Sequence, residues 1–485
     1  MTSRGEEALS IRAAARDRPD GLALVAGGER FSWSGLAELA EREAERIREL
    51  AGVPGAGGPV ALVATPTAET VARLLALAEM GVAAAPLHPR ATPAEREAQA
   101  ASLGCRVVLE GSAGVHRMAV PEAAPATTRS EAKGARTKRE APAEGAAPDH
   151  ERPFAVLFTS GSAGSPRGVE LSRDAFVAAA EASADRLGWR EEDRWLCVLP
   201  LAHVGGLSIL VRCLVARRAV VLLPGFEPAE VARAVERCAA TLASLVPTML
   251  ARLLEELPAW RPPATLRAVL LGGAAAGPRL WRAGLERGLP LLETYGMTET
   301  CSQVATAVPG GPPRAMRPLP GLEVRTRDGR IEVRGPALLT RYLPPRAHPD
   351  PFTADGWFRT GDAGRLRDDG TLQPLGRLDA VIVTGGENVS PSEVEAELEA
   401  HPSVRSAVVV GIPDDRWGEV VAAALVRDPT SPPVGDEELL RWAAPRLAPF
   451  RRPRRIAWMD RLPEMSGGKV DRPAIVRLLS SPFDR

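Results

Sequence analysis

The chain has 485 residues, 45% of them apolar, with 61 acidic and 61 basic side chains and a formal net charge of zero. That length allows about three domain-sized units, or one large α/β body with a smaller appendage. The charge balance gives no pull toward nucleic acid or a membrane surface, and no uninterrupted apolar run reaches the roughly 18 residues a membrane-spanning helix needs.

The N-terminal stretch MTSRGEEALSIRAAARDRPD has no apolar core followed by a small-residue cleavage site, so no secretory signal is expected. The five cysteines, Cys105, Cys197, Cys213, Cys238 and Cys301, are scattered and lack CxxC spacing. They read as small buried hydrophobes in a reducing compartment, which points to the cytoplasm. Only three of the 61 basic residues are lysine, and two of those, Lys133 and Lys138, fall in low-complexity sequence. Lys469 is thus the one lysine in sequence that reads as ordered, and an ammonium does not substitute for a guanidinium in a tight site.

From residue 22 to 86 short apolar runs alternate with amphipathic segments. Helices are predicted over 36–50 and 69–80, and strands over 60–64, 82–87 and 105–110. Such alternation argues for a parallel sheet covered by helices. Residues 112–149 are rich in Ala, Glu, Pro, Arg and Thr and poor in large apolar side chains. A segment of that composition cannot bury enough surface to fold, and a disordered insertion is expected there.

The rhythm resumes at 154–170, FAVLFTSGSAGSPRGVE. A buried strand breaks into a loop holding Thr159, Ser160, Gly161, Ser162, Gly164, Arg167 and Gly168. The glycines let backbone N–H groups turn toward an anion, the hydroxyls add donors and Arg167 supplies a cation, a combination that suits a polyphosphate. It is not a Walker A loop, because no Gly-Lys-Ser/Thr follows the glycines. Ser172 is placed to cap the next helix.

Strands are predicted at 195–199, 219–223, 242–246, 266–271 and 290–293, with helices over 207–215 and 228–238. The strand at 266–271 runs into Gly272-Gly273, and the one at 290–293 into Thr294-Tyr295-Gly296. Loops at the carboxyl ends of parallel strands are where such sheets place ligands. Short alternating segments at 322–325, 330–334 and 371–374 predict a small β subdomain over 321–376. An α+β unit then follows, with strands at 381–383, 404–411 and 420–426 and a helix over 391–400.

Further constellations carry chemistry. Tyr295 to Gln303, YGMTETCSQ, puts an aromatic face, the hydroxyl of Thr298 and the carboxylate of Glu299 just after a strand, suited to base stacking, phosphate contact and Mg²⁺ ligation. Thr360-Gly361-Asp362 is expected on a tight turn, where the carboxylate could accept from two ribose hydroxyls. Gly376-Arg377-Leu378-Asp379 stands at a unit junction, and Ser466-Gly467-Gly468-Lys469 sets the lone lysine on a glycine loop.

In order and spacing these motifs resemble the adenylate-forming superfamily of acyl-CoA synthetases, luciferases and peptide-synthetase adenylation domains, over essentially the whole chain. The resemblance implies an α/β fold. Residues 1–378 would form a large N-terminal domain of helix-covered, mostly parallel sheets with the β subdomain, and 379–485 a mobile α+β C-terminal domain. It implies ATP, Mg²⁺ and coenzyme A as ligands. The loop from Thr159 to Gly168 would wrap the β- and γ-phosphates. Gly272, Gly273 and Tyr295-Gly296 would enclose the adenine, Thr298 would meet the α-phosphate and Glu299 the Mg²⁺. Asp362 and Arg377 would hold the ribose, Asp379 would be the hinge, and Lys469 would bridge carboxylate and α-phosphate. After rotation Gly385 and Gly386 would line a thiol channel. The chain departs from the family at Arg167, usually lysine, at Ala163, often a hydroxyl residue, and at Ser466-Gly467-Gly468.

For the acid, LPLAHVGGLSILVR (199–212) sets His203 after a strand and Arg212 within an otherwise apolar helix, where a charge is expensive unless paired. His203 reads equally as a capping or core histidine, and Arg212 equally as a solvated arginine on the back of the helix. This block, with Leu270 to Ala274 and the 295–303 stretch containing Ser302, is similar to the o-succinylbenzoate–CoA ligase branch of the superfamily. That similarity implies a dicarboxylic aryl acid in the menaquinone route, with one carboxyl activated and the other read by Arg212. His203, Gly273 and Ser302 would line the pocket. Another aryl- or acyl-CoA synthetase, or an enzyme loading a carrier protein, shares the ATP motifs. A homo-oligomer stays open; neither a nucleic-acid partner nor membrane insertion is expected.

Overall fold

The structure, a computed structural model, describes residues 7–51, 58–111, 114–117, 152–159, 167–344, 350–385, 387–465 and 470–480. Four-residue apolar runs become parallel strands because the helices after them carry the chain back over one face. Val60–Val63 pairs with Ala84–Leu87 on one side and Val107–Glu110 on the other, with Ala68–Glu79 and Pro93–Ser102 as the returning helices. Ser172 Oγ accepts from the Ala175 N–H at 3.1 Å and opens the helix Arg173–Leu187, as its side chain predicted.

Among the described residues a nine-stranded sheet runs in the spatial order Met316–Pro318, Ser302–Ala307, Leu291–Met297, Ala268–Leu271, Leu242–Leu245, Arg194–Cys197, Ala219–Leu222, Leu22–Ala26 and Glu29–Ser32. Its centre is parallel and its edges are antiparallel. A seven-stranded sheet holds Arg341–Leu343, Arg167–Ser172, Pro153–Thr159, Ala84–Leu87, Val60–Val63, Val107–Glu110 and Gly114–Arg117. The helices Arg173–Leu187 and Val204–Ala216 pack together in a core shared by both sheets. A four-stranded antiparallel sheet spans 323–377, and the strands after residue 380 form a separate five-stranded sheet with its own core. This is the α/β class expected. No helix among the described residues is long and apolar enough to cross a membrane.

Two expectations are corrected. Gly114–Arg117 pairs antiparallel with Val107–Glu110, so the insertion at 112–149 is not disordered throughout. The open edge of a sheet can recruit a short segment whatever its composition. The other residues of that insertion lie outside the described ones. Thr360-Gly361-Asp362 is not a tight turn but the middle of the strand Phe358–Leu366, bulged between Ala363 and Gly364.

The amino ends of the central strands are tied by one buried carboxylate. Asp193 accepts from Thr241 Oγ1 at 2.6 Å, Arg267 Nε at 2.9 Å, Arg267 Nη2 at 2.5 Å and the Arg190 N–H at 2.7 Å, with its side chain 0% exposed. Burial alone would raise its pKa, but Arg267, Thr241 and the Arg190 N–H outweigh burial and hold it below the usual carboxylate value. Its contribution is therefore present at neutral pH and lost as pH falls through that lowered pKa. Asp193→Ala leaves the Arg267 guanidinium buried without its partner. It should lower the unfolding free energy by about 3–5 kcal/mol in a denaturant titration at neutral pH, and a loss below about 1 kcal/mol would show the network to be dispensable.

Candidate active site

At the opposite, carboxyl ends of the strands, Leu291–Met297 carries Tyr295 and Gly296, and a short helical turn, Thr298–Thr300, follows before the chain reverses into Ser302–Ala307. The reversal is tight: Cys301 and Ser302 hold φ of 48° and 99°. A Cβ on Gly296 would fall 1.5 Å from the Ser302 carbonyl oxygen, so only glycine fits there. Non-glycine residues at such φ cost on the order of 1–3 kcal/mol and collect at functional sites.

Two carboxylates converge on this turn, each held by a phenol. Tyr295 Oη donates to Asp362 Oδ2 at 2.7 Å, and Tyr342 Oη donates to Glu299 Oε1 at 3.0 Å. The chain has only two tyrosines, and both are spent here. Burial first, and then the neighbouring carboxylate, push both phenols well above their ordinary value, so both stay protonated donors. Arg377 Nη1 lies 3.6 Å from Asp362 Oδ1, while its Nε and Nη2 each donate to Asp379 at 2.9 Å. The pairing ties the carboxylate expected to hold the ribose to the junction expected to be the hinge.

Thr159 ends the strand Pro153–Thr159, with a buried Oγ1 that has no hydrogen-bond partner among the described residues. The Arg167 guanidinium lies 5.2 Å from the centre of the Tyr342 ring. Ser160, Gly161, Ser162 and Gly164 lie outside the described residues. A Cβ on Gly168 would meet Leu103 Cδ2 at 2.7 Å. Gly272 is crowded by the Thr294 carbonyl at 2.6 Å from a would-be Cβ, and Gly273 turns at φ +79°. Thr298 sits half-buried on the turn.

His203 begins the helix Val204–Ala216 without capping it through its side chain. Its ring centre is 5.3 Å from that of His88, in the loop after Ala84–Leu87. His88 went unpredicted, as a lone histidine after a strand carries no local signal. Its Nδ1 accepts from the Arg90 N–H at 3.1 Å, and burial, then Arg90, lower its pKa. A cleft of about 170 Å³ beside it is lined by His88, Leu199, Phe226, Thr248, Glu464 and Met465. Lys469 and Gly386 lie outside the described residues, but Glu464 and Val470, on either side of Lys469 in the chain, form an antiparallel bridge. Gly385, at φ +58°, is packed against Trp417, whose Cε3 would be 2.6 Å from a Cβ.

Arg212 is 3% exposed on the inner face of its helix, and its Nε and Nη2 have no hydrogen-bond partner among the described residues. The guanidinium lies 5.4 Å from the centre of the Trp195 ring, and its helix packs against the strand Ser302–Ala307 that follows the tight turn. Burial pulls its pKa down to about 10. The solvated alternative is thereby removed: this is a desolvated cation that calls for an anion.

No group of three or more His, Cys, Asp or Glu among the described residues could hold a metal ion. The single carboxylate of Glu299 nonetheless fits Mg²⁺, which keeps several waters and takes most remaining ligands from substrate phosphates.

Residues 11–343 match the family model described as AMP-binding enzyme, and 393–469 match the AMP-binding enzyme C-terminal domain. The chain belongs to the AMP-binding enzyme family. This AMP-binding enzyme is 34% identical over 468 residues to a 2-succinylbenzoate–CoA ligase of Bacillus licheniformis, covering 94% of this chain and 96% of that one. It is similar in structure to o-succinylbenzoate CoA synthetase from Bacillus subtilis. In complex with the acyl-adenylate intermediate OSB-AMP, that protein gives a TM-score of 0.81 at 30% identity, covering 96% of this chain and 97% of that one. The form with ATP and magnesium ion gives 0.80 at 30%, covering 97% and 99%. A double mutant with the product analogue OSB-NCoA gives 0.66 at 30%, covering 97% and 98%.

Tyr342→Phe removes the donor that orients Glu299. A hydrogen bond to a charged group is worth about 1.5–3 kcal/mol. The Mg²⁺ concentration for half-maximal activity should therefore rise roughly tenfold or more, with the KM for the acid moving less than about twofold. An unchanged Mg²⁺ requirement would show that Tyr342 does not position Glu299.

Proposed function

We propose that this AMP-forming acid–CoA ligase acts on 2-succinylbenzoate, joining it to coenzyme A at the expense of ATP. The observation that carries the choice of acid is Arg212: a cation 3% exposed, with Nε and Nη2 unpartnered among the described residues, on a helix packed against Ser302–Ala307. A monocarboxylate spends its only negative charge on the reaction. A diacid has a second to give Arg212, forming a charge-assisted pair out of water.

The chemistry is the meeting of two anions. A carboxylate oxygen of the acid attacks the α-phosphorus of ATP, the bond to the β-phosphate breaks, and pyrophosphate leaves with the electron pair. Catalysis is then mostly the placement of positive charge and donors. Glu299 would hold Mg²⁺, which supplies charge neutralisation on the phosphates. Thr159, Arg167 and the loop between them would grip the β- and γ-phosphates, and Thr298 the α-phosphate. Tyr295 with Gly272 and Gly273 would enclose the adenine, and Asp362 would accept from the ribose. Lys469 would stand between carboxylate and α-phosphate. His203, Gly273 and Ser302 would wall the acid. In the second step the C-terminal unit turns about Asp379 and brings Gly385 and Gly386 to the thiol's path. The sulfur of coenzyme A attacks the acyl carbon, and the acyl–phosphate bond breaks to release AMP. We place the enzyme in the cytoplasm, where its five unpaired cysteines would stay reduced.

Arg212→Met tests the assignment. The KM for 2-succinylbenzoate should rise about ten- to a hundredfold, while that for ATP changes less than about twofold. The melting temperature should hold or rise, since no carboxylate among the described residues loses its partner. Equal effects on both substrates, or none on the acid, would contradict the assignment.

A further inference from the structure

Away from the hinge the two units also touch at the amino end of the helix Pro278–Glu286. Arg279, in its first turn, donates through Nη1 to the Pro402 and Val404 carbonyls, both at 2.7 Å, and reaches the His401 carbonyl at 3.5 Å. Its Nη2 donates to Asp428 Oδ2 at 2.5 Å. All of these acceptors belong to the C-terminal unit: the carbonyls follow the helix Pro391–Glu399, and Asp428 follows the strand Gly418–Arg427. Gly277 caps the same helix, and a Cβ there would lie 1.8 Å from Glu399 Oε2, so the Glu399 carboxyl rests on bare backbone. An ion pair between Arg405 and Glu255, at 3.2 Å, crosses the same boundary. The contact is dry enough that burial lifts the Glu399 carboxyl to about 7.

These side chains are distinct from those assigned above to ATP. In the same docked arrangement Glu464 and Met465, which lead into Lys469, line the cleft beside His88 and Thr248. The docked chain also superposes better on the relative holding an acyl-adenylate than on the form holding a product analogue, 0.81 against 0.66.

We propose that Arg279 is a positioning residue for the first half-reaction. Its guanidinium clamps the end of the helix Pro391–Glu399 to the N-terminal unit and so holds Glu464 and Met465 at the cleft. The second half-reaction, in which the C-terminal unit turns away, proceeds with the clamp open. This rests on the two-step reaction proposed above. Glycine at 277 is part of the clamp because any side chain there would push Glu399 out.

Two variants test it independently. Arg279→Ala removes the donors, and Gly277→Leu wedges the contact at a φ of −65° that any residue adopts. Each is assayed for ATP–pyrophosphate exchange with 2-succinylbenzoate, for conversion of supplied acyl-adenylate and coenzyme A to thioester, and for thermal unfolding. Exchange should fall about tenfold or more in both, while thioester formation from supplied acyl-adenylate holds or rises. Arg279→Lys should be intermediate, since one ammonium cannot satisfy all the acceptors. A parallel fall of both half-reactions, or no change in either, would overturn the clamp. If the wild type gives no exchange with 2-succinylbenzoate, the choice of acid is wrong. The same comparison, made with whichever acid the wild type activates, still decides on the clamp.

Discussion

A carboxylate and a triphosphate repel one another, and the first chemical step requires them within bonding distance. The site shows how a protein poor in lysine meets that demand. The negative charge it contributes itself, on Glu299 and Asp362, is fixed by one tyrosine hydroxyl each and does not wander toward the incoming acid. The positive charge it contributes is left unspent, most plainly at Arg212, whose guanidinium is desolvated. The amino ends of the same strands show the opposite economy. There Asp193 and Arg267 neutralise each other completely, which serves stability and leaves nothing for a ligand.

Much of this is legible in the sequence. The runs read as strands at 60–64, 219–223, 242–246 and 266–271 do form parallel strands, which are buried on both faces and need no alternation. Glycines at 272 and 273 mark a strand's end because the Thr294 backbone leaves no room for a side chain at 272 and the chain turns through φ +79° at 273. The misreadings have a common cause. Thr360-Gly361-Asp362 looks like a turn locally, yet pairing with 330–333 and 372–377 draws it into a strand, and pairing is not written in local periodicity. Tyr342 escaped for the same reason: the strand that carries it is three residues long and meets Glu299 from 43 positions away in the chain. Arg212 was legible as an anomaly, a charge in an apolar helix, but only burial could separate a receptor from a solvated back face.

The boundary between the two units was the least legible part. Arg279 is one of many arginines and sits in an unremarkable helix start. Its meaning comes from acceptors more than a hundred residues downstream, at 402, 404 and 428. Gly277 reads as an ordinary helix-capping glycine until Glu399 is found against it. An enzyme that uses one cleft for two reactions needs such contacts to be firm enough to dock and cheap enough to break. Hydrogen bonds to carbonyls that water can also satisfy have that property.

The central claim is that a buried arginine, unpaired among the described residues, selects a diacid. It is tested most directly by ATP–pyrophosphate exchange in the wild-type enzyme. The acids to compare are 2-succinylbenzoate and its two monoacid analogues, 4-oxo-4-phenylbutanoate and 2-propanoylbenzoate, with the thioester formed on adding coenzyme A identified by mass. The account predicts exchange and thioester with the diacid. The analogue keeping the reacting carboxyl should be at least about tenfold poorer, and the other inert. Exchange with a monoacid as efficient as with 2-succinylbenzoate would contradict it.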